Sequence, residues 1–444
     1  MKKLLGLIAI LCNVFSLNAQ SGSSDQPTVM LGYVDFREAN VWLMANEEKA
    51  VLTYWETSNP SKKFTETAKG HKVNDVFVTQ FKMGPLNPAT TYNYQITVGN
   101  GKKKINTEVN AVNTPKLWRW RTDAPDFKIA FGSCYYANQP EHDRPGTPYG
   151  DTATDIFNRI ADRKPDLMIW TGDNIYLREP DWGSITGINE RYITYRKLNT
   201  TRRLLTTCPN LAIWDDHDFG PNDAVGNFYN KGLALKSFKT FWANPGYGMS
   251  GMEGTTYAFD YNDAHFLMLD NRYNRTPDIC DSCSEETVLG KSQLEWLKMS
   301  LLTMPNTEFK IVCMGGQFLN SAKVHDNFSR YEVEYHDIID FIYKHKIKNV
   351  VFITGDRHFT EFSKLAKEGM PTIYDFTVSP LTSGLTKKVT EVNNYRVDGS
   401  FYNDDRSFGM LEFTGSTKAK NRTIAFVLYD KSGKEIYRYN AILE

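Results

Sequence analysis

The sequence has few cysteines, no excess of either charge and, beyond its first residues, no long apolar run. Its 444 residues carry 52 lysines and arginines against 52 aspartates and glutamates. This balance predicts no specific nucleic-acid binding and no anionic membrane as a partner. The G-x-S-x-G elbow of serine hydrolases is also missing, because the run from Gly248 to Met252 lacks the final glycine. The length nevertheless allows more than one domain, and a hydrophobic content of 41% is ample for their cores.

Residues 1–19 are expected to be a Sec-type signal peptide. Lys2 and Lys3 precede an apolar run from Leu4 to Phe15, and Ala19 is the small residue typical of a cleavage site. We therefore expect an exported protein that is periplasmic, displayed on the cell surface or secreted. No later stretch resembles a transmembrane segment.

Four of the five cysteines that follow the predicted signal peptide fall into two groups. Cys280 and Cys283 flank a polar dipeptide, and a local disulfide is preferred to a redox or metal pair because the chain has no second C-x-x-C. Cys208 and Cys313 border or lie in apolar runs and are expected to be buried as small hydrophobic residues. The fifth, Cys134, belongs to a cluster described below.

Residues 25–122 are predicted to form a small all-β domain. Short β-rich runs alternate with turn signals, as in a β-sandwich. These runs are Asn40–Ala45, Ala50–Thr57, Val76–Lys82 and Tyr92–Val98. The segment from Leu86 to Tyr94 resembles the tyrosine corner of fibronectin type III and immunoglobulin-like domains, and Trp55 is expected in the core. No cluster of titratable residues with catalytic spacing occurs here.

Residues 123–444 are predicted to form a larger α/β domain. Apolar strands alternate with helical stretches, which indicates α/β layers with parallel strands. The predicted helices are Thr152–Arg163, Tyr192–Thr206, Lys231–Trp242, Lys291–Leu302 and Tyr335–His345. Three further strands, expected to complete a sheet, are Gly409–Phe413, Thr423–Tyr429 and Glu435–Asn440.

Five apolar strands in this region run directly into short polar clusters. Ligands bind beyond the carboxyl ends of strands in open α/β sheets, so these clusters can meet at one site. A glycine before a functional residue also permits a sharp turn and a close ligand. The clusters are Gly132–Cys134, Gly172–Tyr176, Asp215–Asp218, Gly315–Gln317 and Gly355–His358.

The residue types in these clusters favour a pair of metal ions. Carboxylates suit hard cations, imidazole suits iron, zinc or manganese, and a thiolate or phenolate favours a more highly charged ion. Two neighbouring cations can hold phosphoryl oxygens and lower the pKa of a bridging water. Arg357 adds a fork of donors for phosphate. Six other histidines lie in no such cluster and are interpreted as surface or structural residues: His71, His142, His265, His325, His336 and His345.

The same motifs resemble those of the PhoD-type alkaline phosphatases, a branch of the calcineurin-like metallophosphoesterases. The resemblance covers residues from about Phe127 to the C-terminus, and the preceding sandwich is similar to the N-terminal domain of that family. It implies a layered β-sandwich flanked by helices. It also implies hydrolysis of phosphate monoesters, diesters or both by metal-hydroxide attack, with small-molecule, lipid or nucleotide phosphate esters as substrates.

The resemblance further implies roles for individual residues. Asp173 would bridge two metals, a ferric ion and calcium, with zinc or manganese as other candidates. Cys134, Tyr176 and His358 would bind the ferric ion. Asp216 and Asp356 would bind the second cation. His217 is expected to protonate the leaving group, while Asn174 and Arg357 would contact phosphate and Gln317 and Asp218 have supporting or open roles.

Two other functions are compatible with the sequence. A phospholipase D-like or nuclease-like phosphodiesterase could use the same scaffold, and pocket width would separate it from a monoesterase. A surface adhesion or glycan-binding protein would fit the sandwich and the 13% aromatic content. The complete set of predicted ligands argues against the second alternative. Protein partners are not predicted.

Overall fold

A computed structural model of the chain describes residues 26–101, 104–151, 154–249, 251–277, 286–303 and 307–442. The predicted signal peptide and the Cys280 and Cys283 pair lie outside these residues. No helix among the described residues combines the length and the apolar character needed to cross a membrane.

The described residues between 28 and 113 form nine strands in two antiparallel sheets. The first sheet has the order β1-β2-β6-β5 and the second β4-β3-β7-β8, with β9 paired to β7. Alternate side chains of both sheets pack into a shared core that includes Val41, Leu52 and Tyr94. The strands are β1 (Thr28–Val34), β2 (Ala39–Ala45), β3 (Lys49–Glu56), β4 (Lys63–Lys69), β5 (His71–Val73), β6 (Val76–Met83), β7 (Thr91–Val98), β8 (Ile105–Asn106) and β9 (Asn110–Asn113).

Two aromatic predictions in these sheets had opposite outcomes. The hydroxyl of Tyr92 accepts a hydrogen bond from the backbone N–H of Asn87, 3.0 Å away, which confirms the tyrosine-corner contact. The prediction of Trp55 as a core residue was wrong. Successive side chains of a strand face opposite sides, and in β3 Tyr54 faces the core. Trp55 faces outward, with the Lys63 ammonium 4.9 Å from its ring centroid.

The remaining strands form two six-stranded sheets. Their orders are β12-β11-β10-β19-β20-β21 and β13-β14-β15-β16-β18-β17. In the first sheet β10, β11 and β12 are parallel, and β19, β20 and β21 continue it from β10 as antiparallel strands. In the second sheet β14, β15, β16 and β18 are parallel. The strands are β10 (Phe127–Gly132), β11 (Leu167–Thr171), β12 (Asn210–Ile213), β13 (Tyr257–Tyr261), β14 (Ala264–Met268), β15 (Phe309–Cys313), β16 (Val350–Thr354), β17 (Glu361–Leu365), β18 (Ile373–Thr377), β19 (Ser407–Thr414), β20 (Thr423–Asp430) and β21 (Glu435–Ile442).

Helices cover the outer faces of these two sheets. One core lies between the sheets and contains, among others, Ile129 from the first sheet and Ile353 from the second. Helices α1 to α3 and α5 pack on the outside of the first sheet, and α6 and α7 pack on the second. The predicted α/β layering is therefore confirmed. The helices are α1 (Ile156–Asp162), α2 (Ile185–Lys197), α3 (Arg202–Thr207), α4 (Asp216–Phe219), α5 (Lys231–Phe241), α6 (Lys291–Thr303) and α7 (Glu332–Lys344), with 3-10 turns at Asn199–Thr201 and Phe328–Arg330.

The predicted helix Tyr192–Thr206 is wrong in its extent. Helix α2 begins seven residues earlier, at Ile185, where the hydroxyl of Ser184 accepts a hydrogen bond from the Gly187 N–H. It ends before Leu198, whose extended backbone separates α2 from the 3-10 turn and α3. The poor helix formers that follow Leu198 favour this interruption.

The N-terminal sheets rest on helix α5 and the segment that follows it. The indole N–H of Trp42 donates to the carbonyl of Thr240 at 2.8 Å, and the backbone N–H of Tyr33 donates to Ala243 at 3.0 Å. Trp42 and Met44 also join the core that packs α1 to α5 against the first sheet.

Candidate metal centre

The predicted site residues meet at the carboxyl ends of strands from both six-stranded sheets. Cys134 follows β10, Asp173 follows β11 and Asp216 follows β12. Gln317 and Asp356 follow β15 and β16 in the second sheet. The strands are buried along most of their length, so their apolar side chains fix the sheet edge from which the polar residues project.

The backbone leaves ordinary conformations at four of these residues. The backbone is in the left-handed region, which residues other than glycine rarely adopt. The φ values are 61° at Cys134, 51° at Asp173, 69° at Asp356 and 56° at His358. Hydrogen bonds hold these turns. The N–H of Tyr135 donates to the carbonyl of Asp173 at 2.9 Å, and that of His358 donates to the Ser379 hydroxyl at 3.0 Å. Such strain concentrates at functional sites.

The glycines of the clusters make room for neighbouring side chains. A Cβ at Gly172 would lie 2.6 Å from the Cβ of Asp215, and one at Gly315 would lie 2.4 Å from the Asp215 carboxyl carbon. At Gly355 the nearest atom would be the Ser133 hydroxyl, at 2.3 Å. The expectation that these glycines leave room for a close ligand was wrong at all three positions, because side chains of the protein occupy the space.

One half of the site, which we call the thiol side, consists of Cys134, Tyr176 and His358. Ligand atoms of Cys134, Asp173 and His358 all lie within 4.8 Å of one another. The Tyr176 hydroxyl is 3.2 Å from Nε2 of His358. Burial, followed by the charge of Asp173, raises the pKa of both Cys134 and Tyr176 well above their usual values. Burial also lowers the pKa of His358 to about 4. The shifts of Cys134 and Tyr176 disfavour their anionic forms unless a cation compensates. The shift of His358 favours the neutral imidazole, which is the form that can bind a metal.

The other half, the carboxylate side, consists of Asp215, Asp216 and Asp356, whose oxygens also approach within 4.8 Å. Burial raises the pKa of Asp356 well above its usual value, and the charge of Asp215 adds to this effect. Burial favours a higher pKa for Asp216 as well, but the charges of His217 and Arg272 outweigh this effect, so the pKa of Asp216 is lowered. Oδ1 of Asp216 and Oδ2 of Asp215 are buried and accept no hydrogen bond. Free acceptor atoms of this kind suit a bound cation.

Asp173 lies between the two sides. Its Oδ2 is 3.5 Å from the Cys134 sulfur, and its Oδ1 accepts a hydrogen bond from the His217 N–H at 3.2 Å. Asp173 also belongs to a second set of three ligand atoms with Asp216 and His217. Burial, then the charge of Asp216, raises its pKa well above the usual value. Asp173 thus shares one set of potential ligand atoms with Cys134 and His358 and another with Asp216 and His217.

His217 lies beside the predicted ligands and reaches solvent. Its side chain is 19% exposed, its ring centroid is 4.0 Å from that of Tyr176, and its Nε2 is 3.9 Å from Asp216 Oδ2. Burial is the main reason why its pKa is lowered, although the charge of Asp216 acts in the opposite direction. Since His217 also belongs to a set of potential ligand atoms, its geometry suits either proton transfer or metal binding.

Asn174 and Asp218 form an internal hydrogen-bonded pair. The side-chain amide of Asn174 donates to the carbonyl of Ile213 at 2.8 Å and to Asp218 at 3.1 Å. Asp218 also accepts the backbone N–H of Asn174 and that of Asp215. Burial raises the pKa of Asp218 to about 7. The Asn174 donors are thus engaged within the protein.

Gln317 and Arg357 are held in a second buried network. The Gln317 amide donates to Glu361 at 2.6 Å, and its carbonyl accepts from Arg357 at 3.3 Å. The Arg357 guanidinium also pairs with Glu391 at 2.5 Å and donates to Asn327. The Gln317 amide is thus engaged at both its nitrogen and its oxygen, and the Arg357 donors face protein acceptors.

Several site residues were missed by the sequence analysis. The most prominent is Arg272, whose fully buried guanidinium pairs with Asp215 and Asp326 and lies 3.6 Å from Asp216. It follows strand β14 in the cluster Asp270–Arg272, so it carries the same strand-end signal as the five recognised clusters. Tyr149, Ser379 and Ser383 also contact site residues.

The six histidines excluded by sequence take no part in the ligand sets found among the described residues. Five are exposed, and His265 is buried and bonded to Asp260 at 2.6 Å. Their interpretation as surface or structural residues is confirmed, as is the burial of Cys208 and Cys313.

Two solved structures share this layered fold. A structure of PhoD matches with a TM-score of 0.69 and 18% identity, over 92% of this chain and 91% of the other. A purple acid phosphatase from yellow lupin (Lupinus luteus) seeds also matches with a TM-score of 0.69, at 12% identity, over 94% of this chain and 74% of its own. The architecture is therefore the one found in these phosphatase structures.

The family follows from sequence comparison. The model of the PhoD-like phosphatase family matches residues 145–425, and the chain belongs to this family. Alkaline phosphatase D of Bacillus subtilis (strain 168) is 23% identical over 372 residues, which cover 72% of this chain. The match spans 60% of that relative's length. The predicted family is confirmed.

Proposed function

We propose that the protein is an exported binuclear metal-dependent phosphoesterase that hydrolyses phosphate monoesters, diesters or both. The observation that carries this proposal is that Asp173 belongs to two sets of potential ligand atoms, one with Cys134 and His358 and one with Asp216 and His217. Membership of a phosphatase family supports the same reaction class. Small-molecule, lipid or nucleotide phosphate esters are the proposed substrates.

The proposed ligands divide according to their chemistry. Cys134, Tyr176 and His358 would hold a ferric ion, because thiolate and phenolate donors favour a highly charged transition metal. Asp216 and Asp356 would hold calcium, a cation that prefers oxygen ligands. Asp173 would contribute one oxygen to each ion. Zinc or manganese are the alternatives for either position.

When bound, such a metal pair supplies Lewis-acid stabilisation of phosphoryl oxygens and lowers the pKa of water. We propose that His217 gives a proton to the leaving oxygen, because its side chain is partly exposed beside Asp216. Asp218 and Gln317 would hold their neighbours in place. Arg357 and Asn174 remain the proposed phosphate contacts. A phosphate would have to compete with Glu391 for the Arg357 guanidinium and with Ile213 and Asp218 for the Asn174 amide.

The N-terminal sheets are proposed to be a separate domain of fibronectin or immunoglobulin type, over residues 25–122, with residues 123–444 as the catalytic domain. The support is a core formed entirely by residues between Val29 and Val112. This region contributes no residue to the ligand sets found among the described residues.

The test combines metal analysis with turnover. Purified protein should contain two metal ions per chain and hydrolyse p-nitrophenyl phosphate, bis-p-nitrophenyl phosphate or both. Chelation should abolish turnover, and adding iron and calcium back should restore it. Hydrolysis that persists in fully metal-free protein would contradict the proposal, as would a stoichiometry of one ion in active protein. The ratio of the two rates assigns the preference for monoesters or diesters.

A further inference from the structure

Tyr149 lies at the outer rim of the thiol side. Its hydroxyl is 2.9 Å from Nδ1 of His358, a residue 209 positions away in the chain. Tyr149 is 44% exposed, whereas Tyr176 on the other side of the imidazole is 3% exposed. The two nitrogens of His358 therefore face different surroundings, one toward the rim and one toward the buried ligands.

The ring of Tyr149 is held in place by packing. It meets Tyr136 edge-on, with ring centroids 4.9 Å apart and planes at 75°. A Cβ at Gly384 would lie only 2.6 Å from Cε2 of Tyr149, so the absence of a side chain there admits the ring. Tyr136 is in turn fixed by a hydrogen bond to Asp143 at 2.8 Å and by the Arg178 guanidinium, 4.1 Å from its centroid.

The other nitrogen, Nε2, faces the buried residues. It lies 3.2 Å from the Tyr176 hydroxyl and 3.3 Å from the Ser383 hydroxyl. All three neighbouring hydroxyls can either donate or accept a hydrogen bond, so these contacts are compatible with both neutral tautomers of His358. Binding of a metal by Nε2 requires its lone pair, which leaves the proton on Nδ1.

We propose that Tyr149 is a positioning residue that accepts a hydrogen bond from Nδ1–H of His358 and thereby presents the Nε2 lone pair to the metal. The inference rests on the proposed metal centre. A metal-bound histidine commonly donates its second N–H to such a partner, and loss of that partner weakens metal binding by about 10–100-fold. Tyr149 would act on the centre without being a ligand.

The tautomer can be read without any metal. In metal-free protein labelled with ¹⁵N-histidine, long-range nitrogen–proton NMR spectra at pH 8 distinguish a protonated ring nitrogen from an unprotonated one. Loss of one signal set in His358→Gln assigns the residue. We expect His358 to carry its proton on Nδ1 in the wild type and to populate both tautomers in Tyr149→Phe. Tyr135→Phe, which removes a buried hydroxyl that contacts Thr200 and not His358, should leave the Nδ1–H tautomer unchanged.

Metal retention gives an independent measurement. With Zn²⁺ as the probe, competition with a chelator should show about 10–100-fold weaker binding at the tightest site in Tyr149→Phe and little change in Tyr135→Phe. A wild-type His358 protonated on Nε2 would overturn the inference, as would unchanged Zn²⁺ affinity in Tyr149→Phe. Failure of the wild type to bind any metal would instead contradict the proposed function. The two failures are therefore distinguishable.

Discussion

The thiol side and the carboxylate side of the site differ in how the protein balances their charge. On the carboxylate side, Asp215 pairs with the buried guanidinium of Arg272, which also reaches Asp216. On the thiol side, the Cys134 sulfur is within hydrogen-bonding distance of the Ser133 and Ser379 hydroxyls. The His358 ring is within hydrogen-bonding distance of the hydroxyls of Tyr149, Tyr176 and Ser383. Neutral hydroxyls compensate an anionic ligand far less than an arginine does. We infer that the thiol side depends more strongly on its metal for charge balance.

The largest effect should follow from removing Asp173, the carboxylate that the two sides share. Asp173→Ala is expected to abolish esterase activity and to reduce the content of both metals, because both ions would lose a ligand and the anionic charge between them. Metal analysis and turnover of the same preparation check this. An active Asp173→Ala protein that retains both ions would contradict the binuclear site.

The next effect concerns proton transfer. His217→Ala should lower turnover by about 10²–10⁴-fold while metal content stays nearly intact, because general acid catalysis contributes roughly this factor. The loss should shrink for esters with strongly acidic leaving groups, which need no proton. A comparison of p-nitrophenyl and alkyl phosphates separates the two cases. Equal losses of turnover on p-nitrophenyl and alkyl phosphates, or loss of a metal ion, would show that His217 is a ligand or a structural residue and not the general acid.

Arg272 allows the difference in charge balance to be measured as stability. Arg272→Met would remove the buried counter-charge of Asp215 and Asp216, whereas Asp326 would keep its ion pair with Arg275. We expect a loss of about 3–5 kcal/mol in the free energy of unfolding of metal-free protein. Calcium should recover part of this loss because it would supply positive charge to the folded state alone. Urea denaturation with and without calcium provides the measurement. A loss below about 1 kcal/mol, within the range of exposed ion pairs, would show that Arg272 does not have this role.

A reciprocal pair of variants tests whether the two sides hold different metals. Cys134→Ser should weaken binding of the transition metal and spare calcium, since serine is a weaker and neutral donor. Asp356→Asn should mainly weaken calcium. We expect changes of about 10–100-fold in affinity, comparable with the loss of a supporting group at a metal site. If both variants lose the same ion, the assignment of separate sides is wrong. If Cys134→Ser retains its full metal content, Cys134 is a buried core residue and not a metal ligand.

The sequence predicted the strand-end clusters because each is a local pattern, an apolar run followed by a turn with metal-ligand residue types. The same signal follows β14 at Asp270–Arg272 and was overlooked, although it needed no further information. The contact between Tyr149 and His358 could not be predicted, since 209 positions separate these residues and only the fold brings them together. Trp55 was misplaced because two adjacent aromatic residues leave the phase of a strand ambiguous.

The smallest effect is expected outside the site, in the N-terminal sheets. Glu66 is an exposed residue of β4, on a strand whose described side chains are almost all exposed. Glu66→Gln removes one charge with little change in shape, and surface substitutions of this kind alter stability by about 0.5 kcal/mol at most. Turnover on small phosphate esters should therefore remain unchanged. Steady-state rates of this variant and of Asp356→Asn, measured with the same substrate, give the contrast directly. A large fall in Glu66→Gln would count against the assignment of catalysis to residues 123–444, because no residue of the N-terminal sheets belongs to the ligand sets found in the described part of the chain.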